Sequence, residues 1–286
     1  MRIGICSYSF HRTAAAGAMD IFSFITTCKE MGCTVLDPWN AHLSLKATGA
    51  DALAHGANPD RSHIEPPADQ AFLARVLAAA KSAGLPFGTL AVDGAHVYCA
   101  DKAEQAANRT RAHRWIEIAA FLGAESVRID SGGTAEMSDA VLAEIAAGYR
   151  DVIAFARARG VSVLMENHWG ASNVPENVVR ILDAVEGLGL LFDTHNWAEG
   201  RQADGWRLCG ARAAATHIKT FAFDAQGDEA GVDLRPAFAL LKTAGFRGPW
   251  GVESVPTDGN ELEAARTTIA LIRRHAGAAQ AAGAKS

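Results

Sequence analysis

The sequence predicts an α/β protein, a single (β/α)8 TIM barrel, on three observations. Short apolar runs alternate with longer Ala-rich helical stretches from one end to the other, and this rhythm implies a parallel sheet, because parallel strands need helical crossovers. The chain of 286 residues divides into eight units of roughly 36 each, which suits a barrel of ~250 residues with insertions. No composition break or linker divides the chain, and no Gly-x-Gly-x-x-Gly follows an early strand, which sets aside a doubly wound sheet in two domains.

Taken in order, strand one runs over 3–9, where Met1-Arg2-Ile3-Gly4-Ile5 enters a strand-like stretch directly, and a helix covers 18–32. Strand two is the run 34–39, with its helix at 69–83; strand three is 86–92, with a helix at 103–122. Strand four, 126–130, precedes a helix at 138–159, and strand five, 161–167, one at 175–185. Strands six to eight fall at 189–194, 214–220 and 249–254, followed by helices at 201–211, 234–244 and 260–275. The barrel is expected to span 1–275, and the Ala/Gly-rich end, 276–286, to be a flexible tail. Two connections exceed what a barrel requires: 40–69, containing His55-Gly56-Ala57-Asn58-Pro59-Asp60, and 221–233, rich in Asp, Gly and Ala. Both leave the C-terminal ends of strands, the face where barrel enzymes carry their chemistry, so each is expected to cover substrate.

Composition narrows the partners. The 27 Lys+Arg against 32 Asp+Glu leave a net charge of −5, without the basic face that nucleic acid or an anionic membrane needs. At 49% hydrophobic residues, disorder is excluded for most of the chain. Cys6, Cys28, Cys33, Cys99 and Cys209 are scattered and form no Cys-x-x-Cys, which argues against a disulfide framework and a thiolate zinc site. No segment approaches ~18 uninterrupted apolar residues, and no basic leader opens the chain. A cytoplasmic protein is expected, with homo-oligomerisation compatible with this reading.

The chemistry concentrates on four consecutive strands. Glu166 ends strand five in Met165-Glu166-Asn167-His168, Asp193 ends strand six in Phe192-Asp193-Thr194-His195, His217 lies in strand seven, and Glu253 ends strand eight. Each step between them is about one βα unit, so the four side chains are delivered to the same end of the barrel. Strand side chains alternate faces, so Glu166 shares a face with His168, Asp193 with His195, and His217 with Lys219. Three carboxylates and an imidazole in one mouth repel each other and resist burial unless a cation is present. Oxygen ligands with one nitrogen suit a single divalent ion, Mn²⁺ first, with Mg²⁺, Co²⁺ and Zn²⁺ open.

On Glu166-Asn167-His168, Asp193-Thr194-His195, His217-Ile218-Lys219 and Gly251-Val252-Glu253, the chain resembles the xylose isomerase-like barrel superfamily. That superfamily holds sugar phosphate isomerases and epimerases, ketose 3-epimerases, inosose dehydratases and hydroxypyruvate isomerases. The resemblance covers nearly the whole chain. It implies that Glu166, Asp193, His217 and Glu253 bind one divalent metal and that Glu166 and Glu253 exchange protons with the substrate. Two departures bear on the substrate. Where members often read His-x-Lys-Asp, Lys219 is followed here by Thr220 and Phe221; where ketose epimerases usually place a histidine three residues after the strand-six aspartate, this chain has Asn196.

Around the quartet, His195, His168 and Asn196 are candidate substrate-binding groups, the alternative for the histidines being hydrogen bonds to metal ligands. Lys219 is expected to hold a carbonyl or enediolate oxygen. Arg128, with Asp130, either reaches substrate or forms a buried ion pair. Trp39 and Trp169, and likewise Trp197, lie at or just past strand ends, where a flat ring suits a sugar face. Tyr8 and His11 are weaker candidates. No Gly-x-x-x-x-Gly-Lys occurs and 255–260 carries no basic residue, so the substrate need not be phosphorylated.

The expected function is a divalent-metal-dependent sugar isomerase or epimerase acting on a small sugar or polyol-derived ketone, by proton transfer next to a carbonyl through an enediolate. Elimination at the same site, as a dehydratase or C-glycoside lyase, is the alternative. A non-catalytic sugar-binding barrel and an AP-endonuclease-like enzyme rank below, the latter disfavoured by the net negative charge.

Overall fold

Residues 1–44 and 64–277 are described by a computed structural model of the chain, and in them strand and helix alternate as expected. The strands are β1 (Ile3–Ile5), β2 (Thr89–Val92), β3 (Ser126–Ile129), β4 (Ser162–Glu166), β5 (Leu188–Asp193), β6 (Ala213–Thr220) and β7 (Trp250–Ser254). They pair in parallel in the order β1-β7-β6-β5-β4-β3-β2. The helices are α1 (His11–Ala15), α2 (Ile21–Glu30), α3 (Gln70–Ala83), α4 (Lys102–Leu122), α5 (Asp139–Arg157), α6 (Pro175–Ala184), α7 (Gln202–Cys209), α8 (Arg235–Thr243) and α9 (Glu261–Gly277). From α2 to α9 each helix packs on the next, a belt along the outer face of the sheet. α9 passes the boundary expected at 275 by two residues, and 278–286 lie outside the described residues.

The helix starts follow from local chemistry. Asp20 accepts from the Phe22 and Ser23 N–H groups in a capping box, so α2 begins at 21 rather than 18. Asp69, Asp101 and Ser138 cap α3, α4 and α5, and proline occupies the first turn of α6 and α8, where its missing N–H costs nothing.

Two expected strands are corrected. The first was expected over 3–9, but the ladder ends at Ile5 and a 3-10 turn, Ser7–Phe10, follows. Serine side chains take over the bonds there: Ser9 Oγ donates to Val252 O (3.3 Å) and accepts from Ser254 N (3.0 Å). The second, 34–39, forms no ladder. It touches both edges of the sheet through isolated parallel bridges, Cys6↔Asp37 on one side and Leu36↔Phe87 and Trp39↔Ala91 on the other. Pro38 has no N–H to donate, and Trp39 N–H goes to Ser7 Oγ (2.8 Å). The sheet therefore has seven assigned strands among the described residues, not eight. Of the two long connections, 45–63, including His55 to Asp60, lie outside the described residues.

The strands are buried almost throughout, as expected for a parallel sheet covered by helices. Most strand side chains join the core shared with the helices, whereas Leu164, Leu191 and Ala215 form a separate apolar cluster. Each lies two residues before Glu166, Asp193 or His217 and so shares its face: the cluster is the floor of the site. On β7 the corresponding residue is Gly251, opposite His217, where an added Cβ would stand 2.3 Å from Thr216 O and 3.0 Å from His217 Cδ2. Gly251→Ala is expected to cost about 1–3 kcal/mol, read as a lower urea midpoint. An unchanged midpoint would show that β6 and β7 can separate freely.

A turn at Asn40–His42 sets a second stability effect. The His42 ring stacks on Phe24, Nδ1 lies 2.5 Å from Ser7 Oγ, and Nε2 has no hydrogen-bond partner. Burial pushes its imidazole down to about 4. The unfolded chain, with the ordinary value of about 6.5, takes up the proton first, so stability is lost as pH falls from about 6.5 toward about 4. From about pH 7.5 to about 5 this amounts to about 2 kcal/mol. His42→Phe, which keeps a stacked ring, should lose that much less over the same interval in urea unfolding. Equal pH slopes would mean that His42 is charged in the folded protein.

Candidate active site

The C-terminal ends of β4 to β7 bring Glu166, Asp193, His217 and Glu253 together, with one ligand-capable atom from each lying within 4.8 Å of all the others. They are 1%, 0%, 3% and 6% exposed. Sheet register does this: Asp193 pairs with His217, and Lys219 with Glu253. His217 Nδ1 lies 2.9 Å from Glu166 Oε1 and 3.1 Å from Glu253 Oε2. Asp193 is held from behind. Its Oδ1 accepts from His195 N (2.6 Å) and Asn196 N (2.8 Å), and Asn167 clamps its backbone by accepting from Asp193 N and donating to Asp193 O. Its Oδ2 is buried without a hydrogen-bond partner, and the buried Oε2 of Glu253 faces only the His217 ring without well-aligned hydrogen-bond geometry.

The charges explain the protonation tendencies. Burial, against the pull of Lys219, pushes the Asp193 carboxyl up to about 7. Burial also works to raise Glu253, but the Lys219 ammonium, 3.2 Å away, and His217 hold it well below the usual carboxylate range. His217 is raised well above the ordinary imidazole value because Glu166 outweighs the cost of burial. Five buried carboxylates, Asp93, Asp130, Glu166, Asp193 and Glu253, face two permanent cations, Arg128 and Lys219. A divalent cation would relieve that excess and engage Asp193 Oδ2 and Glu253 Oε2, so these residues fit such an ion.

A second polar group adjoins the first. Arg128 on β3 places Nη1 2.7 Å from Asp93 Oδ1 and 3.0 Å from Asp130 Oδ2, and its Nε 3.0 Å from Glu166 Oε2. Arg128 thus forms a buried ion-pair network. His168 Nδ1 lies 2.9 Å from Asp130 Oδ2, and Asp130 raises the imidazole although burial opposes it. Trp169 stands edge-on to His168 and His96. Trp39 is 1% exposed, and its indole N–H donates to Asp93 Oδ2 (2.9 Å).

On the opposite flank, Lys219 Nζ donates to Asn196 Oδ1 (3.0 Å) and Glu253 Oε1 (3.2 Å). His195 stands edge-on to Phe221; burial and then Lys219 press it down to about 4, and its Nε2 has no partner. Trp197 is buried against Gly205 instead of facing the mouth, with 2.3 Å between its ring and an added Cβ there. Tyr8 stacks on His11, and His11 Nδ1 lies 3.4 Å from the buried Glu261. Asp93, His96 and the backing Asn167 were not expected. Asp93 had a signal, a carboxylate directly after a strand like the quartet's own; His96 had none.

A parallel α/β sheet flanked by helices, with carboxylates and a histidine at the C-terminal strand ends, defines a class of barrel-type proteins. The chain belongs to the xylose isomerase-like TIM barrel family, whose profile matches residues 44–275. No curated protein sequence matches the chain. Among solved structures it is similar to an L-ribulose 3-epimerase, at 16% identity over 98% of this chain and 95% of that one, with TM-score 0.72. It is also similar to the 3-keto-D-glucoside 4-epimerase YcjR from E. coli (16% identity, 89% and 94% covered, TM-score 0.65). A third is AsbF from Bacillus anthracis, a probable 3-DHS dehydratase involved in petrobactin synthesis (13%, 94% and 99%, TM-score 0.68). These likenesses carry the fold. No helix of the described residues is long and apolar enough to cross a membrane.

Proposed function

We propose that the protein is a divalent-metal-dependent sugar isomerase or epimerase, with residues 1–275 as one barrel that the bridged segment 36–39 closes. The observation that carries this is the buried quartet, in which Asp193 Oδ2 accepts no hydrogen bond and Glu253 Oε2 meets only the His217 ring at 3.1 Å. Glu166, Asp193, His217 and Glu253 would hold the ion, Mn²⁺ first, with Mg²⁺, Co²⁺ and Zn²⁺ open. When bound, it would withdraw charge from a substrate carbonyl and a neighbouring hydroxyl oxygen.

The chain's own groups divide the remaining work. One of Glu166 and Glu253 takes the proton from the carbon beside the carbonyl as the C–H electron pair moves toward oxygen, giving an enediolate; the other returns a proton. Return to the opposite face of the same carbon gives the epimer; return to the former carbonyl carbon, with the neighbouring hydroxyl's proton passing to the former carbonyl oxygen, gives the isomer. Lys219, fixed by Asn196 and Glu253, donates to the developing oxyanion. His195, neutral at physiological pH, offers Nε2 to a substrate hydroxyl.

His168 supports a second reading. Asp130 favours its charged form, and the ring, 23% exposed, lies within ligand distance of Glu166, so a protonated His168 would serve a departing hydroxyl or aglycone and turn the same enediolate toward elimination. Chelator-treated protein assayed on a panel of ketoses separates these readings. Activity is expected to vanish, to return with Mn²⁺, Mg²⁺ or Co²⁺, and to give products of unchanged mass. Products lighter by water or an aglycone would establish elimination, and full activity after chelation would remove metal dependence.

A further inference from the structure

Beside the quartet, on the β2–β3 side, lies a group of polar atoms that the proposed proton transfer does not use. The segment after β2 is zipped along the segment after β3: Val97 N–H donates to Asp130 O (3.1 Å), Tyr98 N–H donates to Ser131 O (3.1 Å), and Tyr98 bridges Gly132. Gly132 permits this approach, with φ +72° and only 2.1 Å between an added Cβ and Tyr98 O. The zipper brings His96 beside Asp130.

Each keeps one buried polar atom without a partner, Asp130 Oδ1 and His96 Nε2, although Asp130 is 2% exposed and its other oxygen serves Arg128 and His168. Such atoms are costly to bury when nothing satisfies them. Asp130 also lies within ligand distance of Glu166, so a molecule held at the quartet can reach it. Charge decides what fits. Among the described residues, Arg128, the cation beside Asp130, is already committed to Asp93, Asp130 and Glu166 and is not spare for a phosphate or carboxylate. The Trp169 ring, edge-on to both His96 and His168, supplies an apolar wall.

We propose that Asp130 Oδ1 and His96 Nε2 form a second recognition subsite that accepts hydroxyl groups from the carbon chain remote from the carbonyl and selects neutral sugars over phosphorylated or carboxylated ones. This rests on the sugar reading above and names its substrate class. Deuterium uptake from D₂O beside the carbonyl, on the metal-loaded protein, measures it with dihydroxyacetone, a free six-carbon ketose and that ketose's 6-phosphate. The free hexulose should exceed both others in kcat/KM by at least about tenfold, the factor one hydrogen bond to a charged or buried group supplies. His96→Ala should cut the hexulose-to-triose ratio by about tenfold, chiefly through KM. Asp130→Asn should do the same, and His96→Ala stands alone should loss of the Arg128 pairing unfold that variant. A 6-phosphate that matches the free sugar, or a ratio unchanged in His96→Ala, overturns the subsite. Should no ketose take up deuterium, the proton-transfer reading falls by itself. Calorimetric titration with sorbitol and sorbitol 6-phosphate then decides: binding of sorbitol alone, lost in His96→Ala, upholds the subsite, and any other pattern overturns it.

Discussion

Glu166→Gln is expected to lower kcat/KM on a ketose substrate by about 10²–10⁴-fold, the range a positioned acid–base group supplies. The substitution keeps shape and removes both basicity and charge. It also places an amide between His217 Nδ1 and Arg128 Nε, which the two carboxylate oxygens now serve at 2.9 and 3.0 Å. At saturating metal the loss should persist in kcat, separating proton transfer from weakened ion binding. Glu253→Gln should behave alike and in addition release Lys219, whose ammonium it holds at 3.2 Å. Near-native kcat in either variant at saturating metal would mean that the protons travel elsewhere, with His168 the next candidate.

Arg128→Leu carries the largest expected loss of stability, about 3–5 kcal/mol, since removing one partner from a buried ionic group leaves the others uncompensated. Here Asp93, Asp130 and Glu166 lose their shared cation at once. The pH dependence identifies the cause. Burial would raise the Asp130 carboxyl, but Arg128 and then His168 hold it below the ordinary value. A carboxylate so depressed stabilises the fold above its unfolded value near 3.9, and that contribution fades as pH falls further. The deficit of Arg128→Leu in urea unfolding should therefore be full at neutral pH and shrink as acid protonates the carboxylates. A deficit independent of pH would point to lost packing of the arginine stem instead.

The quartet was legible because strand geometry is rigid: a period of two puts Leu164 and Glu166, Leu191 and Asp193, Ala215 and His217 on one face, and one βα unit sets the step between them. What escaped lies where that periodicity ends. Asp93 and His96 follow β2 in a segment positioned by hydrogen bonds to the end of β3, a long-range pairing with no repeat to betray it. The ladder at 34–39 failed to form because Pro38 lacks a donor and Trp39 found a serine hydroxyl. Strand one was overdrawn because Ser9, read as strand, bonds β7 through its side chain. For Trp39, position along a strand does not tell which way an indole N–H turns, and here it donates to Asp93.

Proton transfer at a carbon beside a carbonyl is the central claim, and solvent isotope exchange reads it directly. A ketose turned over in D₂O by the metal-loaded protein should gain one deuterium at that carbon, with uptake abolished by chelation and in Glu166→Gln. Product formed without any solvent deuterium at the substrate carbon would contradict it and indicate a hydride shift.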